Sequence, residues 1–180
     1  MVEVELLGSG NAFLPSERMH SFLLIDKHII VDCPPTALAS LRQARVSPAD
    51  IDTILITHVH GDHVFGFPFL LLERKYISDR EGLKPLTVAG SPGVKDRLVQ
   101  LCKLAYPGSL EAMIDTINWV DLPTSSKWDF ERFEVLHDEE VDPHGWMLTH
   151  SNGWSILHSG DSGPCEELWS RVAKCKFAVV

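Results

Sequence analysis

The sequence has no long apolar run, little positive charge and no paired cysteine motif. A transmembrane helix needs about 18 or more consecutive apolar residues, and none occurs, so we expect no membrane span. The opening MVEVELLGSG lacks the basic segment and apolar core of a secretory signal. We therefore expect free thiols in a reducing cytoplasm. The four cysteines are Cys33, Cys102, Cys165 and Cys175.

Positive charge is scarce, with 16 Lys and Arg against 25 Asp and Glu and a formal net charge of -9. Proteins that bind long nucleic acids usually carry a basic face, so long nucleic acid is a poor candidate partner. A small anion can still bind, because a metal centre supplies its own positive charge. The 180 residues are 44% hydrophobic and contain no linker, which predicts a single domain over residues 1–180.

Short strand-like segments dominate and are interspersed with helices. VEVELLG, SFLLID and HIIVD predict strands, the last two forming a tight hairpin. SPGVKDRLVQLCKLAY has helical spacing after a Ser-Pro start. RFEVLH and WSILHSG predict later strands, and FAVV predicts one that lies inside a sheet. The expected fold class is α+β, with sheets covered by helices.

Metal-binding side chains crowd the stretch ILITHVHGDHVFGF. His58 and His60 are two apart, and such residues share a face of a strand. Gly61 permits a turn that brings Asp62 and His63 toward the same space. Imidazole and carboxylate suit zinc, and also manganese or iron. Four ligands in six residues favour two metals, with His58 and His60 on one and Asp62 and His63 on the other. The alternative is a group of loop histidines without metal.

Two metals need further ligands, and two candidates stand at predicted strand ends, where loops carry functional groups. His137 ends RFEVLH, and Asp161 follows WSILHSG within HSGDSGP. His144 competes with His137, but its neighbouring Pro and Gly make a loop position near substrate the alternative. A carboxylate such as that of Asp161 can bridge two metals.

Several motifs resemble those of the metallo-β-lactamase superfamily. THVHGDH is similar to its signature, and SGDSGP to its bridging-aspartate loop. LGSGNAFLPSERMHSFLL and DHVFGFPFLL resemble the ribonuclease Z-like branch. The resemblance covers most of the chain and implies an αββα sandwich, with His58, His60 and His137 on one metal. It assigns Asp62 and His63 to the second metal and Asp161 to the bridge.

The resemblance also indicates roles around the metals. Asp32 matches a family aspartate, to which we assign hydrogen bonds that hold the metal loop. His20, in the first loop, and His144 are candidate substrate contacts, although an ordinary loop histidine is the alternative for His20. Asp62 is the catalytic candidate, because it would orient a hydroxide bridging the two divalent metals and accept its proton.

The resulting functional prediction is a metal-dependent phosphodiesterase acting on small or cyclic phosphodiesters. A thioester or lactone hydrolase of the same fold is one alternative, and a non-catalytic binding protein with a degenerate second site is another. The family usually adds a metal histidine after a strand equivalent to FAVV, so we expect the C-terminal part of the family fold to be absent. The long arm with which ribonuclease Z grips tRNA is also missing. Monomer and homodimer both stay open.

Overall fold

The computed structural model describes residues 2–14 and 18–180. Residues 15–17, part of the first-loop stretch quoted above, lie outside them. The strands of the described part are β1 Val4–Gly8, β2 Phe22–Ile25, β3 Ile29–Val31, β4 Thr53–Leu55, β5 Thr87–Ala89, β6 Asn118–Val120, β7 Trp128–Glu134, β8 His144–His150, β9 Ser155–His158 and β10 Phe177–Val179. The α-helices are α1 Ala37–Gln43, α2 Gly61–Val64, α3 Phe67–Glu73, α4 Val94–Ala105, α5 Glu111–Ile114 and α6 Glu166–Val172.

Two sheets form the centre of the molecule. One has the strand order β1-β2-β3-β4-β5-β6, and its strands from β3 to β6 run parallel. The other has the order β10-β9-β8-β7. The expectation that FAVV lies inside a sheet is wrong for the described residues, because β10 pairs only with β9 and occupies the edge. The exposed side chain of Phe177 matches that edge position.

Apolar side chains alternate along the strands and thereby divide the interior into layers. In β2, Leu23 and Ile25 face the second sheet, whereas Phe22 and Leu24 face the helices, as the period of two in a strand requires. Helices α1, α3 and α4 cover the first sheet, and α6 covers the second. The expected αββα sandwich is confirmed.

The parallel strands bring their C-terminal ends to one edge, where the histidine motif begins. The register pairs Val31 of β3 with Leu55 of β4, so the loops that follow these two strands start side by side. Trp146 of β8 is fully buried and donates its indole N–H to the Ile56 carbonyl over 3.0 Å. This bond fixes the second sheet against the segment that leads into the motif.

Three further sequence expectations can be compared with the structure. No helix within the described ranges is long and apolar enough to cross a membrane, and the four cysteines are free thiols. The predicted strand RFEVLH ends earlier than expected, since β7 stops at Glu134. Beyond that point Leu136 forms only an isolated bridge with Gly163, so His137 lies in a loop held against the Asp161 segment.

Candidate metal centre

Three histidine rings converge at the end of β4. The Nε2 atom of His58 lies 3.1 Å from Nδ1 of His60, and Nε2 of His137 lies 3.2 Å from that same Nδ1. His58 is buried and His60 and His137 are partly exposed. The extended backbone between positions 58 and 60 keeps the first two on one face, and the loop after β7 brings the third across the gap between the sheets.

The second half of the motif forms a short helix that turns back toward the first half. Helix α2 starts at Gly61 after His60, whose backbone is extended. The turn places Nε2 of His63 3.5 Å from a carboxylate oxygen of Asp62. That nitrogen also lies 3.3 Å from a carboxylate oxygen of Asp161, which arrives from the loop after β9.

The donor atoms form two groups, each compact enough for one cation. Within each group the donor atoms lie within 4.8 Å of one another. Three imidazoles, or two imidazoles and a carboxylate, are donor sets that zinc accepts, so the side chains fit a divalent metal. The groups share His58 and consist of His58, His60 and His137, and of His58, His63 and Asp161.

Asp32 lies beneath both groups and is completely buried. One of its oxygens accepts the Nδ1–H of His63 over 2.7 Å. The carboxylate also accepts the backbone N–H of Thr57 over 2.8 Å and the Thr57 hydroxyl over 2.9 Å. The Thr57 oxygen lies 3.0 Å from Nδ1 of His58, and because its proton goes to Asp32 it accepts the N–H of His58. Nε2 of His58 is therefore the nitrogen with a free lone pair.

The pKa values of the metal-free site follow from burial and from these contacts. Burial lowers the pKa of His58 to about 3, with the charge of His63 acting in the same direction. Burial also lowers the pKa of His63, but Asp32 and Asp161 outweigh it and raise that pKa to about 10. The hydrogen bond from His63 is the main cause that lowers the pKa of Asp161 to about 2. A cation that binds His63 must therefore displace a proton.

His20 and His144 lie near the centre but outside both donor groups. His20 is buried, its Nδ1 is 3.3 Å from the Thr36 hydroxyl, and burial lowers its pKa, with Asp62 partly opposing. His144 donates its Nδ1–H to the Asp142 carbonyl over 2.8 Å, which turns the ring toward its own loop. The structure therefore places His58, His60, His63, His137 and Asp161 in the donor groups and leaves His20 and His144 outside them. Asp62 is also outside both groups, although one of its carboxylate oxygens lies 3.5 Å from Nε2 of His63.

His158 lies beside the site, although the sequence assigns it no role. It is buried, and its Nδ1 accepts the backbone N–H of Gly160 over 3.0 Å. Its Nε2 then carries the proton and lies 3.3 Å from the Ser21 hydroxyl. His158 thus joins the first loop to the segment that carries Asp161. The sequence contains no signal for a contact spanning 137 positions.

Comparison with known proteins identifies the family of the chain. The family model described as Anti-Pycsar protein Apyc1 matches residues 2–174, so the chain belongs to that family. A Ribonuclease Z of Alkaliphilus oremlandii is 38% identical over 120 residues, covering 64% of this chain and 37% of that protein. One from Clostridium beijerinckii is 33% identical over 159 residues, covering 84% and 47%. The chain thus spans less than half the length of these two relatives.

Solved structures confirm the fold. The short form of human tRNase Z superposes with a TM-score of 0.74 at 20% identity, covering 99% of this chain and 76% of that one. Zn²⁺-bound PqqB from Methylobacterium extorquens gives 0.70 at 18% identity, covering 99% and 71%. These likenesses show the fold, and the relatives named Ribonuclease Z support the assignment to the ribonuclease Z-like branch of the metallo-β-lactamase superfamily that the motifs predicted.

Proposed function

We propose that this member of the Anti-Pycsar protein Apyc1 family is a metal-dependent hydrolase that cleaves small or cyclic phosphodiesters. The relatives named Ribonuclease Z support phosphodiester chemistry. The net charge of -9 supports a small substrate over a long polyanion, since long nucleic acids are held mainly through their phosphates by basic residues.

One observation carries the proposal, namely the convergence of side chains that are distant in sequence on a small volume. Nε2 of His137 reaches a histidine 77 residues away, and Asp161 reaches one 98 positions before it. Burying polar side chains and bringing them together costs free energy unless a partner compensates. A shared cation would supply that compensation. The proposed ligands are His58, His60, Asp62, His63, His137 and Asp161.

The residues of the chain divide the chemistry between them. Two divalent cations, zinc or alternatively manganese or iron, would acidify a water molecule and stabilise negative charge on phosphoryl oxygens. Asp32 holds the ring of His63 and, through Thr57, the ring of His58, so that one nitrogen of each faces the centre. The Asp62 carboxylate is only partly buried. It is the group we assign to orient the attacking water and accept its proton.

A substrate panel on the zinc-loaded protein tests the proposal. We expect turnover of bis-p-nitrophenyl phosphate and of a cyclic mononucleotide, with a thioester, a lactone and a long RNA hydrolysed far more slowly. Elemental analysis of the purified protein should find divalent metal. A preference for the thioester or lactone would refute the assigned substrate class, and metal-free protein with no turnover after reconstitution would refute the hydrolase assignment itself.

Variants connect the activity to the proposed ligands. His58→Ala and His60→Ala should each lose bound metal, because a three-ligand site rarely survives the loss of one ligand. Asp161→Asn keeps the size but removes the charge, so turnover should fall by orders of magnitude while the circular dichroism spectrum stays unchanged. His150→Ala is the matched control, since its ring contacts Trp128 at the opposite end of the second sheet. Normal metal content in both histidine variants would show that the cation binds elsewhere.

A further inference from the structure

The residue that follows His137 reaches back to another histidine of the centre. Asp138 precedes a short 3₁₀ turn, Glu139–Val141, and its Oδ1 accepts the backbone N–H of Glu140 over 3.0 Å. This bond fixes the orientation of the carboxylate. Its other oxygen, Oδ2, lies 3.5 Å from Nε2 of His60.

That contact is on the outer side of the His60 ring. Nδ1 of His60 faces the nitrogens of His58 and His137, so a cation in this group would take the Nδ1 lone pair and leave the ring proton on Nε2. The outer nitrogens of His58 and His63 are held by Thr57 and Asp32 over 3.0 and 2.7 Å. Among the described residues, the carboxylate nearest to the corresponding nitrogen of His60 is that of Asp138.

We propose that Asp138 is a positioning residue that keeps the His60 proton on Nε2 and thereby strengthens cation binding by the three-histidine group. The inference rests on the proposed metal site but not on its substrate. Histidine ligands generally donate their second N–H to a carboxylate, carbonyl or water, and losing that partner typically lowers metal affinity by about 10- to 100-fold. Because the Asp138 side chain is about half exposed, we expect the loss of metal affinity to lie near the lower value, about tenfold.

The substitution Asp138→Asn isolates this contact. An amide oxygen can still accept the N–H of Glu140 and keep the turn, but the NH₂ group then faces the N–H of His60 and repels it. Asp138→Ser also keeps the cap, because serine is a good capping residue, yet it is too short to reach the ring. Glu140→Gln removes an equal charge from the same turn without touching a histidine.

Competition between each variant and a chromophoric chelator measures zinc affinity without reference to turnover. We expect both Asp138 variants to bind zinc about tenfold more weakly and Glu140→Gln to match the wild type. Unchanged circular dichroism spectra confirm that the variants are folded. An equal loss in Glu140→Gln would mean that only the net charge matters and would overturn the proposal, as would wild-type affinity in the Asp138 variants.

Long-range ¹H–¹⁵N spectra of the imidazoles give a second readout on metal-free protein. The Nδ1–H form of His60 can donate to the free lone pair on Nε2 of His58, 3.1 Å away, whereas Asp138 favours the Nε2–H form. Asp138→Asn should therefore shift the population toward Nδ1. An identical tautomer ratio in the two proteins would overturn the positioning role. If no phosphodiester is hydrolysed but the affinity and the tautomer both respond to Asp138, the proposed function fails and this inference stands.

Discussion

Removal of the Asp32 carboxylate should weaken the fold itself, even without metal. Its side chain is completely buried and accepts hydrogen bonds from His63 and from both the backbone and the hydroxyl of Thr57. The residue also has a φ of +66°, a left-handed conformation that asparagine and aspartate tolerate better than most side chains. Asp32→Ala therefore leaves three buried donors without their acceptor and replaces a residue that tolerates the left-handed conformation with one that tolerates it less well.

The size of the effect follows from those contacts. Hydrogen bonds to a charged group contribute about 1.5–3 kcal/mol each, but three bonds to one carboxylate are not additive. Breaking a buried ion pair by removing one partner typically costs about 3–5 kcal/mol. We expect Asp32→Ala to lower the free energy of unfolding by about 3–5 kcal/mol, a large part of the roughly 5–15 kcal/mol typical of a domain. Asp32→Asn keeps one acceptor and the backbone preference and should lose less.

Urea unfolding of the metal-free proteins, followed by tryptophan fluorescence at neutral pH, measures these differences. Asp52→Ala is the control, because Asp52 pairs with His28 at the surface and such pairs contribute less than about 1 kcal/mol. A double-mutant cycle of Asp32→Ala with His63→Ala should show strong coupling, since the buried charges compensate each other. A loss for Asp32→Ala no larger than that of the control, or strictly additive losses in the cycle, would refute the reasoning.

Two further predictions concern backbone and surface charge. Gly160 has a φ of +61°, and an added Cβ would lie 2.7 Å from the Cβ of Thr57. Gly160→Ala should therefore lose more stability in urea than the control Gly153→Ala, because Gly153 also has a positive φ but no neighbour within 4 Å of an added Cβ. Equal losses in the two variants would exclude the clash with Thr57. The hydrogen bond with Asp52 is the main cause that raises the pKa of His28. The stabilising contribution of the His28–Asp52 pair is therefore complete below the unfolded pKa of histidine, about 6.5, and disappears as the pH rises through the higher folded pKa of His28. His28→Gln should accordingly cost up to about 1 kcal/mol at acidic pH and nothing in alkali, and a pH-independent cost would contradict the pair.

Local sequence was enough to predict the layers and the centre of the site. Apolar runs such as that of β2 predicted the strands, and β2 is buried on both faces, with alternate side chains directed toward the second sheet and toward the helices. The His58 to His63 motif encodes its own geometry, with two histidines on one extended face and a glycine-initiated turn after them. His137 and Asp161 could be identified because they stand at the ends of predicted strands, although β7 ends at Glu134, before the predicted strand does.

The tertiary structure alone decided which atoms of these residues are available. Packing decides which of His137 and His144 joins the centre, because the loop after β7 brings Nε2 of His137 to 3.2 Å from Nδ1 of His60, whereas His144 is in neither donor group. The contact of Asp138 with His60 and that of His158 with Ser21 exist only after the two sheets have closed on each other. The sequence determines which side chains can bind a cation, because residue type sets their chemistry and the distance along the chain sets their local spacing. Long-range packing determines the direction of each ring, because a nitrogen lone pair is oriented by the partner on the opposite side of the ring.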